Sequence, residues 1–226
     1  MITTMTTTMT DASLIRLMSW LSPVFPTGSF AYSAGLEQAV AQGTVRDADN
    51  LEAWLGTLLA HGSSRNDAVL LAAGWREAED DAAIADLAEL AAALAGSAER
   101  YCEVMDQGKA FAAAARHWFG EDDMLPDALP LPVAVGVACR RAGIPLRPAL
   151  GAFLNTFVSN QLQCAIRLSV TGQDGAARIL AALEPAIDEA ASRAAQSMLD
   201  DLGSAALAAE IAAMNHETLQ PRLFLS

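Results

Sequence analysis

The side chains of this sequence that can do chemistry at neutral pH are few and scattered. Three histidines are the candidate general bases: His61, His117 and His216. None of them lies in a motif with a serine or cysteine nucleophile. Gly108-Lys109 is similar to the end of a phosphate-binding loop, but Glu103 replaces the earlier glycine and Ala110 replaces the Ser or Thr that holds magnesium. We therefore predict neither a nucleotide hydrolase nor any other enzyme, and no catalytic residue.

Paired aspartates offer a second kind of chemistry, a magnesium–pyrophosphate site of the type found in helical prenyl-transfer and cyclase enzymes. The acidic pairs are Asp80-Asp81, Asp122-Asp123 and Asp200-Asp201. Asp122-Asp123 comes nearest to such a site, but Pro126 prevents a regular helical face and no second aspartate cluster accompanies it. We interpret Asp122-Asp123 as a solvated acidic loop and Asp80-Asp81 as a helix N-terminus. A helical metal-dependent enzyme that uses Asp122-Asp123 is the alternative function.

Cysteine and histidine ligands give little support for a metal site. The three cysteines, Cys102, Cys139 and Cys164, are far apart, and no pair has zinc-ligand spacing. We interpret them as buried structural thiols in a reducing compartment. His216-Glu217 is half of a metal site at most, and we favour a structural or partner-contact role. The sequence predicts no bound metal and no cofactor.

Charge and hydropathy narrow the class of partner. The 226 residues include 27 acidic and 14 basic side chains, a formal charge of −13. A surface this acidic repels phosphate backbones, so we predict no nucleic-acid binding. The N-terminus lacks the basic region of a signal peptide, and the longest apolar run, 129–139, is broken by proline and too short to span a bilayer. We predict no membrane association and a cytoplasmic location.

The abundance of Ala and Leu at helical spacing predicts an all-α protein, a single-domain bundle of about ten helices. We expect one domain over 1–226, with a flexible N-terminal tail at 1–10 and a C-terminal tail at 215–226. The predicted helices cover 11–21, 30–42, 49–62, 66–79, 81–95, 97–118, 133–141, 148–169, 176–183, 185–202 and 204–214. The helix over 148–169 is apolar on most sides, so we expect it to be central.

The C-terminal tail is the most distinctive candidate surface. Its apolar side chains are unfavourable when exposed at a chain end: Leu219, Leu223, Phe224 and Leu225. Buried against a partner, one such side chain contributes roughly 1.5–3 kcal/mol. Arg222 can add a forked bond to a carboxylate or carbonyl group. The alternative is that the tail folds back on its own chain.

Three stretches together resemble the UreF family of urease accessory proteins, in order and spacing over nearly the whole chain. The N-terminal stretch runs from Leu21 to Glu37 and contains Ser22-Pro23, Pro26-x-Gly28-x-Phe30-x-Tyr32-Ser33 and Gly35-Leu36-Glu37. The second runs from Pro132 to Leu183 and includes Gly143-Ile144-Pro145, Asn160, Ala165-Ile166-Arg167-Leu168 and Gly172-Gln173. The third is the ending, with His216-Glu217, Arg222-Leu223-Phe224 and Ser226.

The resemblance implies an all-α homodimer that is not an enzyme. It implies a scaffold that bridges the accessory protein UreD, called UreH in some organisms, and the GTPase UreG. The assembly would dock on apo-urease and deliver nickel when UreG hydrolyses GTP. GTP is then bound by UreG, and nickel is present only in transit, along an internal water-filled route.

The resemblance and the residue types together indicate ten partner-binding candidates. They are Phe30, Tyr32, Lys109, Gly172, Gln173, His216, Glu217, Arg222, Leu223 and Phe224. We hypothesise that residues 215–226 become ordered on UreD, and that Lys109 with Gly172-Gln173 contacts UreG. For Phe30 and Tyr32, packing between the first two helices is the alternative to a UreD or dimer contact. If the three motif matches are accidental, a third interpretation is a helical adaptor protein with no role in nickel delivery.

Overall fold

The computed structural model describes residues 9–120 and 123–226. The apolar residues at helical spacing in this part of the chain lie in α-helices. Within the described residues, the α-helices are α1 Asp11–Trp20, α2 Leu36–Ala41, α3 Ala48–His61, α4 Ser63–Arg76, α5 Asp81–Ala93, α6 Ala98–Ala115, α7 Leu131–Arg141, α8 Leu146–Arg167, α9 Gln173–Ala194 and α10 Leu207–His216. Short 3-10 turns occur at Ser29–Ala31, Arg116–Trp118 and Leu199–Asp201. They form one compact all-α domain, which confirms the predicted fold class.

Side-chain caps set several helix starts. The Asp80 carboxylate accepts hydrogen bonds from the main-chain N–H groups of Ala82 and Ala83, as predicted for a helix N-terminus. Ser97 caps α6 in the same way. The Thr10 side chain caps α1 and the Asp47 side chain caps α3, each by accepting one of the first free N–H groups of its helix.

The core is densest where α4 crosses α7. Residues 132–139 of α7 are all buried, and the helix over 148–169, observed as α8, is central as predicted. A Cβ on Gly136 would lie 2.2 Å from the main-chain oxygen of Leu71, so only glycine permits this approach. α8 also lies inside the bundle, against α9, α4 and α2.

Two predicted helix boundaries are wrong for identifiable reasons. The predicted helices over 176–183 and 185–202 are one helix, α9, which continues through Pro185. Its buried stripe is unbroken on both sides of the proline, so packing on α8 and α3 outweighs the cost of about 3 kcal/mol. The predicted helix over 30–42 shortens to Leu36–Ala41, because Ala34 and Gly35 have positive φ angles of 50° and 80°.

The two ends of the chain differ in what the structure describes. Residues 1–8 of the predicted N-terminal tail lie outside the described residues, as does Asp122. Residues 215–216 of the predicted C-terminal tail belong to α10, and residues 217–226, here called the C-terminal segment, follow it. Among the described helices, none is long and apolar enough to cross a membrane.

Candidate partner-binding site

The C-terminal segment packs on its own chain, against the stretch that precedes α2. The Leu225 N–H donates to the Ala31 carbonyl over 2.8 Å, and the Ser33 N–H donates to the main-chain oxygen of Ser226 over 2.7 Å. Phe224 is buried, with 2% of its surface exposed. The C-terminal segment therefore folds back on its own chain, which is the second of the two alternatives for the tail.

Glu37, in the first turn of α2, receives the C-terminal segment. Its Oε1 accepts the Leu223 N–H over 2.7 Å, and its Oε2 accepts the Phe224 N–H over 2.9 Å. Gly35 makes this position possible, because its φ of 80° starts the helix and a Cβ there would lie 2.8 Å from the Ala213 nitrogen of α10. A buried carboxylate at a helix N-terminus is favoured by the helix dipole and by the donors that it accepts.

His216, the last residue of α10, joins Glu37 to a second carboxylate. Its Nε2 lies 3.0 Å from Glu37 Oε2, and its Nδ1 lies 2.7 Å from Glu99 Oε2 in the first turn of α6. The imidazole is fully buried, and the Arg222 guanidinium pairs with the other oxygen of Glu99. Two carboxylates therefore meet one imidazole and one guanidinium, and the Arg222 guanidinium compensates part of the buried negative charge.

Two side chains of α8 also contact the C-terminal segment or the stretch that precedes α2. The Arg167 guanidinium lies 4.2 Å from the centre of the Phe224 ring, a cation–π contact, and donates to the Phe30 carbonyl over 2.7 Å. The Asn160 amide donates to the Tyr32 carbonyl over 3.2 Å. The Tyr32 hydroxyl donates to Asp106 of α6 over 3.3 Å, and burial together with Asp106 raises the pKa of Tyr32 to about 12.

Three large apolar side chains remain exposed around the docked segment. Phe30 is 70% exposed, and Leu223 and Leu225 are each 53% exposed. The main-chain bond from Leu225 to Ala31 brings the two stretches of chain side by side. We call Phe30, Leu223 and Leu225, which lie on these two adjacent stretches, the apolar patch; exposed apolar patches are typical of protein contact surfaces.

The structure brings together seven of the ten predicted residues. They are Phe30, Tyr32, His216, Glu217, Arg222, Leu223 and Phe224. Glu217 acts at a helix start, where its Oε1 accepts the Ala98 N–H of α6 over 2.9 Å. The other three lie elsewhere, with Lys109 exposed on α6, Gly172 at the N-cap of α9 and Gln173 exposed as its first residue. Within the described residues, no hydrogen bond joins these three to the C-terminal segment.

Several residues that build the site were missed. Glu37, Asn160 and Arg167 lie within the motifs that carried the family resemblance, but their contacts depend on the tertiary fold. Glu99 had only one local signal, its position two residues after the N-cap Ser97. The prediction of three buried thiols is wrong for Cys102, which is exposed.

A second buried charged network lies behind this surface. Arg100 of α6 pairs with Asp67 of α4, and its Nη1 lies 3.0 Å from Glu103 Oε2. Burial raises the pKa of Glu103, and Arg100 opposes this shift. Two cavities, of about 150 and 70 Å³, share these three side chains in their walls. Gln161 Oε1, which lines the smaller cavity, is buried without a hydrogen-bond partner among the described protein atoms.

The acidic alternative receives no support from the described residues. Asp123 is exposed, and its carbonyl accepts a hydrogen bond from Arg141 over 3.3 Å, while Asp122 lies outside the described part of the chain. In residues 9–120 and 123–226, no group of three or more His, Cys, Asp or Glu side chains is placed to hold a metal ion.

Comparison with known proteins identifies the family. The UreF family model matches residues 45–184. A protein of Brucella ovis named urease accessory protein UreF is 56% identical over 215 residues, covering 95% of this chain and 94% of that protein. The chain belongs to the UreF family. A second UreF, from Agrobacterium fabrum, is 53% identical over 216 residues, 95% of this chain and 97% of its own length.

The alignment with these UreF proteins extends well beyond the family model. Glu37, His216 and the C-terminal segment all lie outside residues 45–184. A UreF from Rhizobium leguminosarum bv. viciae is likewise 53% identical over 215 residues, 95% of this chain. The UreF family model thus matches the central part of the bundle, which includes α6 and α8. The candidate site combines these two helices with residues that precede and follow the matched range.

Proposed function

We propose that this UreF-family chain is a non-catalytic scaffold in urease maturation, which bridges UreD and UreG during GTP-dependent insertion of nickel into apo-urease. The proposal is supported by relatives at 53–56% identity that are named urease accessory proteins. The observation that carries it is the docked C-terminal segment, which presents the apolar patch around a buried charged cluster.

The apolar patch is the proposed contact for UreD. The side chains of Phe30, Leu223 and Leu225 are half exposed or more. Covering one such side chain contributes roughly 1.5–3 kcal/mol at full burial. Their main chain is fixed by hydrogen bonds, so little ordering entropy opposes association. A partner that covers all three gains a preformed, rigid contact.

UreG, nickel and a second copy of this chain complete the proposed assembly. Lys109 and the Gly172-Gln173 start of α9 are exposed and are the proposed contacts for UreG, which binds the GTP. Nickel is the cargo, and its proposed internal route runs through the two cavities that share Arg100, Asp67 and Glu103 in their walls. We propose a homodimer in the cytoplasm as the working form.

The function is tested by complementation. A strain that lacks its own UreF gene is supplied with the wild-type chain, the double variant Leu223→Asp/Leu225→Asp, or the control Leu207→Asp, which changes another exposed leucine at the opposite end of α10. Urease activity and nickel per urease are then measured. We expect restoration by wild type and control and at least tenfold less nickel with the double variant. Full nickel loading without any UreF chain would refute the function.

A further inference from the structure

Glu37 and Ser33 are the two side chains of the N-terminal stretch that, among the described residues, hydrogen-bond the main chain of the C-terminal segment; the Ser33 hydroxyl donates to the main-chain oxygen of Ser226. The two oxygens of Glu37 accept the consecutive N–H groups of Leu223 and Phe224, at 2.7 and 2.9 Å. His216 Nε2 lies 3.0 Å from the second oxygen. Glu37 is 7% exposed, so these protein groups take the place of water around a buried carboxylate.

Exposure alternates along the segment that Glu37 holds. Leu223 and Leu225 are 53% exposed, whereas Phe224 and Ser226 are 2% and 3% exposed. A shift of one residue would turn Phe224 outward and both leucines inward, as a register slip does in a strand. Glu37 accepts the two consecutive N–H groups of Leu223 and Phe224, and together with the bonds that Ala31 and Ser33 make to the last two residues it fixes which side chains face solvent.

We propose that Glu37 is a positioning residue for partner binding, whose carboxylate sets the register of the C-terminal segment and so places Leu223 and Leu225 on the UreD-facing surface. This inference rests on the proposed function. The chemistry requires a carboxylate, because both oxygens accept. A glutamine would present an NH₂ donor to one of the two N–H groups.

The test compares Glu37→Gln with Glu189→Gln, a matched change at an exposed glutamate of α9 that pairs with Arg193. Hydrogen exchange of the Leu223 and Phe224 amides is measured in the full chain alone, and the affinity for UreD by titration. We expect Glu37→Gln to speed exchange at both amides and to weaken UreD binding at least about tenfold, which corresponds to 1.4 kcal/mol. The control should change neither quantity.

A combined variant separates this inference from the proposed function. If Glu37 acts through the two leucines, adding Glu37→Gln to Leu223→Asp/Leu225→Asp should weaken UreD binding little further. Unchanged amide protection in Glu37→Gln, or additive losses of affinity, would overturn the positioning role while leaving the UreD surface intact. Wild-type affinity of Leu223→Asp/Leu225→Asp would instead overturn the surface itself, and the inference with it.

A second variant keeps the inference testable if Glu37→Gln does not fold. Leu223→Pro removes one of the two N–H donors from an exposed position and leaves Glu37 in place. If circular dichroism shows that Glu37→Gln is unfolded, Leu223→Pro carries the same expectation for Phe224 exchange. Unchanged Phe224 protection in Leu223→Pro would contradict the inference.

Discussion

His216 Nε2 lies 3.0 Å from Glu37 Oε2, although 179 residues separate the two in the sequence. This contact joins the end of α10 to the start of α2, and Glu99 extends it to α6 through the other ring nitrogen. Because the imidazole is fully buried, the three helices are tied at one point beneath the C-terminal segment. The order of the proposed partner surface therefore depends on a small charged cluster rather than on apolar packing alone.

Removing the imidazole should destabilise the bundle. His216→Ala leaves the carboxylates of Glu37 and Glu99 buried without their shared partner, so we expect a loss of about 3 kcal/mol in the free energy of unfolding. Urea denaturation followed by circular dichroism measures this loss. His61→Ala, at an exposed histidine, is the control. Equal stability of the two variants would show that the cluster contributes nothing.

Phe224 should hold the C-terminal segment on the bundle. Phe224→Ala removes a side chain that is 2% exposed and stacks on Arg167, at a cost of about 3 kcal/mol to docking. Trypsin cleavage after Arg222 then becomes faster by about a hundredfold, since cleavage follows the open population. Leu225→Ala, at a half-exposed position, should change the rate little. Slow cleavage of Phe224→Ala would mean that the hydrogen bonds suffice for docking.

The close approach of α2 and α10 should depend on the absence of a side chain at Gly35. Gly35→Ala introduces a Cβ 2.8 Å from the Ala213 nitrogen, at a φ of 80°, so we expect a loss of about 2 kcal/mol or more in stability. Gly151→Ala in α8 meets nothing within 4 Å and should stabilise the chain by about 0.5–1 kcal/mol. Thermal unfolding of both variants measures whether the first lowers the stability and the second raises it.

Thiol reactivity should distinguish Cys102 from the other two cysteines. Burial raises the pKa of Cys139 and of Cys164 to about 12, so at pH 8 both remain protonated and unreactive, whereas Cys102 is exposed. We expect Ellman's reagent to titrate one thiol rapidly in the folded chain and three after denaturation. Cys102→Ser should abolish the rapid phase. Rapid reaction of two or three thiols in the folded chain would contradict the burial.

Apolar periodicity was sufficient to predict most of the bundle. The stripe that includes Ile179, Ile187 and Ala194 identifies the buried face of α9 because helical spacing is a local property. Pro185 misled the prediction, since the proline penalty is also local and the packing that outweighs it is not. The late start of the helix predicted over 30–42 depends on the positive φ angles of Ala34 and Gly35, which their sequence context did not reveal.

The candidate site could be predicted only in part from the sequence, because its contacts, like the packing around Pro185, are not local. His216 and Glu217 are adjacent in sequence and were read together, yet their side chains act at different helix starts, Glu37 of α2 and Ala98 of α6. Contacts between residues more than one hundred positions apart depend on the packing of the bundle. The motifs therefore indicated which stretches matter, but not which side chains meet.

The most direct test of the account is the affinity of purified UreD for the full chain and its variants, measured by isothermal titration. We predict that Leu223→Asp/Leu225→Asp weakens binding by at least about a hundredfold, because two charged carboxylates cannot be buried in an apolar contact without partners. Leu207→Asp should bind as tightly as the wild type. Equal affinity of UreD for all three chains would contradict the claim that the C-terminal segment forms the partner surface.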